Sequence, residues 1–198
     1  MPQDARSVVA AIGFRVKSGW ATAVLLAGPI QGPHVLDRRA IDLSDPAVPE
    51  SRQPYHARMG MLETDEGKLA RRRMIVTAAT RQSVRDLLRD YRKGGHTVRA
   101  VGLVVGSMIE PARITNPHIR AHALEGRLFR TVLEAAVCSC RLSCSVVVER
   151  DLYARAADVL GRSQDELKRL VTNVGRPPGG PWRADEKTAC LAAWLALA

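Results

Sequence analysis

No apolar run in this chain is long enough to span a bilayer, and its first residues, Met1-Pro2-Gln3-Asp4, lack the basic-then-apolar layout of a secretory leader. These absences lead to the expectation of a soluble, cytoplasmic protein. Paired cysteine motifs are missing too. Cys138, Cys140, Cys144 and Cys190 make no two compact pairs and have no histidine at ligand spacing, so reduced thiols are expected rather than cysteine-bound zinc. Trp20, Trp182 and Trp194 are too scattered for a base-stacking platform, and Trp194 is expected in the core. No internal repeat divides the chain. Lysine is scarce: only Lys17, Lys68, Lys93, Lys168 and Lys187 contribute to the basic total.

What the chain has in excess is arginine. Thirty basic residues stand against twenty acidic ones, for a net charge of +10 over 198 residues. Such a balance suits a polyanionic partner, DNA or RNA before a membrane. An arginine- and alanine-rich composition also arises from a GC-rich genome, so charge alone does not decide the matter. The length supports one substantial core, and residues 1–198 are read as a single domain.

Ser7–Phe14 and Trp20–Ala27 have strand character and are separated by Arg15-Val16-Lys17-Ser18-Gly19, a link short enough for an antiparallel hairpin. His34–Leu43 alternates like an exposed edge strand. A proline-rich connection, residues 44–63, reads as a flexible or functional loop. A long helix follows from a Thr64 cap to Lys93, stopped by Gly94-Gly95. Val98–Val105 is the next strand. A second helix carries Leu124, Leu128, Val132, Ala135 and Ala136 on one side. Ser145–Val148 then reads as a strand buried on both faces. Helices over Leu152–Leu160, Ser163–Asn173 and Arg183–Leu197 complete the chain, with Ser163-Gln164-Asp165-Glu166 as a capping box and an open loop at Arg176–Pro181 before the last.

Three strands on short links make a meander, and two more arrive by helical crossovers that force parallel pairing. The expected fold class is α/β: a five-stranded mixed sheet with helices on both faces. Ligands of such sheets gather beyond the carboxyl ends of the parallel strands, which places Glu149 on the functional edge.

This element order resembles the ribonuclease H-like fold. Val101–Gly106, Val146-Val147-Val148-Glu149-Arg150 and Ala184–Ala193 resemble stretches of its RuvC-type Holliday-junction resolvases and their YqgF-type relatives. The resemblance implies a carboxylate cluster holding magnesium or manganese for phosphodiester hydrolysis. Glu149, Asp185 and Glu110 are its catalytic candidates here, and Glu149, Asp151 and Asp185 its metal ligands. The departures are plain. Where the family carries its first-strand aspartate this sequence has Ile12, the fourth strand ends in Gly106-Ser107, and the last helix has Thr188 where a second acid belongs.

The resulting expectation is a nucleic-acid-binding member with lost or altered nuclease activity. An active metal-dependent nuclease and a non-catalytic protein-interaction scaffold stand as alternatives, and a homodimer is compatible with each. Arg81, Arg85, Arg89 and Arg92 fall at helical spacing on one stripe, and with Arg15 and Lys17 they are the candidate phosphate contacts. The same stripe also reads as a solvated helix face diluted by Asp86 and Asp90. Asp151 reads equally as a helix cap, and Asp185 as an acid favoured by a helix dipole. His118 and His122, four apart, form half of a metal site that lacks a third ligand at recognisable spacing.

Overall fold

The computed structural model describes residues 8–57, 60–174 and 182–198. Strands β1 (Val8–Lys17), β2 (Trp20–Ala27), β3 (His34–Asp42), β4 (His96–Val105) and β5 (Ser143–Val148) form one sheet in the order β3-β2-β1-β4-β5. β1, β2 and β3 pair antiparallel, while β1 with β4 and β4 with β5 pair parallel. The meander and the two crossover strands are therefore as expected. Helices α1 (Glu66–Lys93) and α2 (Pro117–Ser139) form the crossovers, and α3 (Leu152–Leu160), α4 (Gln164–Val174) and α5 (Ala184–Leu197) follow β5.

Two apolar layers flank the sheet. On one face Ile12, Phe14, Leu25 and Leu103 pack with Val84 and Leu87 of α1 and Phe129 and Leu133 of α2. On the other, Val24, Leu26 and Val104 pack with Leu152, Leu167, Leu191 and Trp194 of the last three helices. Burial on both faces explains why β1, β2 and the second half of β4 read as nearly continuous apolar runs. None of the described helices is long and apolar enough to cross a membrane.

The structure departs from expectation in local ways that bear on the site. β1 does not end at Phe14. It continues to Lys17, which pairs with Trp20, so the turn is only Ser18-Gly19, with Gly19 at a φ of 83°. Arg15 pairs with Thr22 on one side and Val104 on the other, so its backbone belongs to the sheet. The cap of α1 is Asp65, whose carboxylate accepts from the Lys68 N–H at 3.0 Å, and Thr64 lies outside it. α2 buries Ala121, Glu125, Phe129, Leu133, Ala136 and Val137, a stripe that shares Ala136 with the expected side and has Leu128 and Val132 at its margin. β5 is an edge strand with only Val147 buried. Asp151 opens α3 without a side-chain capping bond. Ser163 does accept from the Glu166 N–H, at 3.2 Å.

Residues of the 44–63 connection are tied to the body. Ser44 Oγ donates to the Gly19 carbonyl at 3.0 Å, and Arg72 Nη1 donates to the Pro54 carbonyl at 2.9 Å. The Glu63 N–H donates to the Tyr55 carbonyl at 2.9 Å. The expected loop at Arg176–Pro181 lies outside the described residues.

Candidate functional site at the strand tips

Alternation along β1 sends Ile12 and Phe14 to one face and Gly13 and Arg15 to the other. Gly13 pairs in register with Gly102 of β4, and the two open a shallow channel across the centre of the sheet. α5 lies in it. A Cβ on Gly13 would fall 1.8 Å from the Ala189 carbonyl oxygen, and one on Gly102 would fall 2.4 Å from that of Ala192. Only glycine allows this approach. One turn before Ala189 comes Asp185, so the contact at Gly13 delivers that carboxylate over Arg15, two residues further along β1.

Arg15 is 6% exposed. Its Nη2 donates to Glu149 Oε2 at 2.6 Å, its Nη1 donates to the Val16 carbonyl at 2.8 Å, and its Nε stands 3.9 Å from Asp185 Oδ1. Lys17 Nζ meets the same Asp185 oxygen at 3.1 Å. Glu149 reaches this point because β5 ends beside Val105 and the chain turns at once into α3. Glu149 and Asp185 are thus brought together, on a guanidinium rather than around a vacancy. Two acids face two bases, and the quartet is neutral.

Divalent-metal chemistry fits this donor set poorly. Magnesium asks for near-octahedral hard oxygens and tolerates little positive charge nearby. Here one oxygen of each carboxylate, Glu149 Oε2 and Asp185 Oδ1, is already engaged by Arg15 or Lys17. Asp151 is exposed and lies 3.5 Å from Arg150, and Glu110 is paired with Arg127 at 3.0 Å, so neither joins the quartet.

Five of the six basic candidates line two separate clefts. Arg15 and Lys17 line a cleft of about 270 Å³ with Gly106, Ser107 and His122. Arg85, Arg89 and Arg92 line a separate groove of about 340 Å³ with His96 and Cys140, near the start of β4. Arg89 is held by Asp86 at 2.7 Å, and Arg81 does not reach that groove. Among the cysteines only Cys190 is buried and Cys138 is exposed; burial pushes the Cys190 thiol up to about 12. Trp194 is in the core, as expected, its Nε1 donating to the Ile30 carbonyl at 2.8 Å.

A residue that local spacing did not reveal is His56. It comes from the 44–63 connection to stand with His118 and His122, and ring nitrogens of all three lie within 4.8 Å of one another. The pair four apart on α2 was the only signal in the sequence; the third member is distant along the chain and close only in the fold.

Superposition on solved structures decides the fold. Thermus thermophilus RuvC aligns over 95% of this chain and 92% of its own, with a TM-score of 0.53 and 11% identity. T. thermophilus RuvC in complex with Holliday junction substrate aligns over 95% and 90%, with a TM-score of 0.54 and 12% identity. The fold is RuvC-type. At such identity the likeness extends to the course of the backbone and to no individual side chain. No protein-family model and no curated protein matches the sequence. Within this RuvC-type sheet, the quartet occupies the carboxyl ends of β1 and β5, the edge where parallel strands receive their ligands.

Proposed function

We propose that this chain binds nucleic acid and that its carboxylate site, satisfied by its own cations, does not support two-metal phosphodiester hydrolysis. The observation that carries this reading is the buried Arg15 guanidinium between Glu149 and Asp185. In two-metal hydrolysis a pair of cations clamps the attacking and leaving oxygens, and carboxylates hold the cations. Here the acids are neutralised from within. Arg15 and Lys17 line the cleft, but their charge is spent on these two acids. The net charge of +10 and the groove with Arg85, Arg89 and Arg92 support a long-range attraction to phosphate backbones.

Because one of the similar RuvC structures contains a Holliday junction, branched DNA is the first substrate to test. Labelled four-way junction, duplex and single strand are titrated by fluorescence anisotropy in magnesium-free buffer over a range of salt. Binding is expected without divalent ions and falls steeply as salt rises. Incubation with magnesium or manganese leaves the strands intact. Cleavage that disappears in Glu149→Ala establishes the active-nuclease alternative instead, and absence of binding at low salt overturns the nucleic-acid reading.

A further inference from the structure

Three of the five histidines of this chain meet at one point, and one of them, His122, lines the cleft that holds Arg15 and Lys17. His118 and His122 rise from the first turns of α2, and His56 is brought over them by the 44–63 connection. The rings are splayed rather than stacked: centroids lie 4.5 to 5.1 Å apart, with interplanar angles of 56°, 72° and 84°. Splayed rings with nitrogens converging are what imidazoles around a common centre require.

Each ring has one nitrogen turned outward and one left inside. His56 Nδ1 is bonded to Glu125 Oε1 at 2.7 Å, and His118 Nδ1 is bonded to the Gly60 carbonyl at 3.0 Å. His122 Nδ1 lies 3.4 Å from Glu125 Oε2. This leaves the three Nε2 atoms as the ring nitrogens not engaged by Glu125 or Gly60. His118 Nε2 and His122 Nε2 stand 3.2 Å apart. Two imidazole nitrogens on one tetrahedral zinc ion are separated by about 3.3 Å, given zinc–nitrogen bonds near 2.0 Å. His56 Nε2 belongs to a side chain only 9% exposed and has no hydrogen-bond partner. A buried ring nitrogen without a partner is costly to leave so.

Glu125 completes the arrangement from behind. It is fully buried in the packed stripe of α2, where an acid has no packing reason to be, and its Oε2 has no hydrogen-bond partner. A carboxylate fixing the outer nitrogen of a metal-bound histidine orients the ring and makes it a better donor. The backbone carbonyl of Gly60 serves His118 in the same way.

We infer that His56, His118 and His122 form a binding site for one first-row divalent transition metal ion, with zinc the best fit, backed by Glu125. Three neutral imidazoles suit zinc, copper or nickel and not magnesium. Three protein ligands leave a fourth position for water or a ligand oxygen. The inference is independent of nucleic-acid binding and of the Arg15 quartet, since no residue is shared.

The test uses the full chain, stripped with a chelator and titrated with cobalt(II) as a coloured substitute, with zinc as competitor. One cobalt per chain is expected, with the intense visible bands of a four- or five-coordinate ion, bleached by an equivalent of zinc. His118→Gln, on the exposed side of the cluster, keeps the fold by circular dichroism and lowers affinity more than about 100-fold, beyond the usual cost of losing an outer partner. Glu125→Gln retains the bands and lowers affinity about tenfold. His34→Gln, an exposed histidine outside the cluster, changes nothing. Failure of the folded chain to bind cobalt or zinc, or equal affinity in His118→Gln and the parent, overturns the inference.

Discussion

Two clusters of ionisable side chains border one cleft, Arg15 and Lys17 lining it from one and His122 from the other, and they answer the same electrostatic question differently. At the strand tips, Glu149 and Asp185 are met by Arg15 and Lys17, with contacts of 2.6 and 3.1 Å. Beside them, His56, His118 and His122 bring lone pairs together with one buried carboxylate, Glu125, behind. The first cluster is closed by its own sequence. In the second, Glu125 is paired with His56 and His122 rather than with an arginine or lysine of the described residues. What decides whether a protein site can receive a metal is not how many potential ligands meet, but whether any neighbouring side chain has already neutralised them.

This contrast can be broken at several points. The largest effect is expected from Gly13→Ala, where the added methyl has no room against the Ala189 carbonyl of α5. Overpacking against backbone should cost about 3 kcal/mol or more of stability, read by urea denaturation. In the folded fraction α5 is displaced, so the quartet loosens while the histidine cluster, which rests on α2, is retained.

Arg15→Met comes next. It keeps much of the volume but leaves Glu149 and Asp185 without their main cation, and a loss of about 2 kcal/mol is expected, since Glu149 is 45% exposed and water takes up part of the charge. If charge balance is what bars divalent ions, this variant alone gains weak manganese binding, measurable by electron paramagnetic resonance. No gain in manganese affinity argues that geometry excludes the ion instead.

A smaller effect concerns the far groove. Arg85→Ala with Arg92→Ala should reduce the salt slope of nucleic-acid affinity by about 2 in log–log units, one phosphate contact for each arginine. An unchanged slope removes that groove from the binding surface and leaves the strand tips. An effect confined to alkaline pH is expected at Cys190. Its thiol is raised from 9.0 to about 12 by burial, so the folded state holds the proton more tightly than the unfolded one. That contribution to stability is present below pH 9 and is lost as pH rises towards about 12. Cys190→Ala makes this alkaline slope shallower in denaturation curves taken across the range and leaves the share of Cys144, whose thiol burial also pushes up to about 12. In the native protein a thiol reagent should modify exposed Cys138 and spare Cys190.

The sheet was legible in the sequence because its logic is local: short links between β1, β2 and β3, and helical crossovers into β4 and β5. The fold class and the mix of antiparallel and parallel pairing follow from that, whereas the meeting of Glu149 with Asp185 is what the resemblance to RuvC-type resolvases implies. Less legible was any residue whose surroundings come from elsewhere in the chain. Arg15 reads as part of a basic turn because nothing nearby announces the two carboxylates that let it sit inside a strand. Glu125 interrupts the apolar period of α2, so the expected side shares only Ala136 with the buried stripe. β5 reads as a strand covered on both faces because its apolar residues carry no mark of lying at an edge. His56 has no partner within its own loop, and only the packing of that loop against α2 gives it two.

The Gly13–Gly102 channel has a further consequence for how this chain can change over generations. Because backbone rests on backbone there, no rotamer can absorb an added methyl at either glycine. The last helix is seated by the sheet itself, and Asp185 inherits its place from that seat. A lineage is free to exchange the charges at the tips one at a time, but relocating the helix would require concerted substitutions on two strands. Such a scaffold tolerates a change of chemistry far more readily than a change of shape.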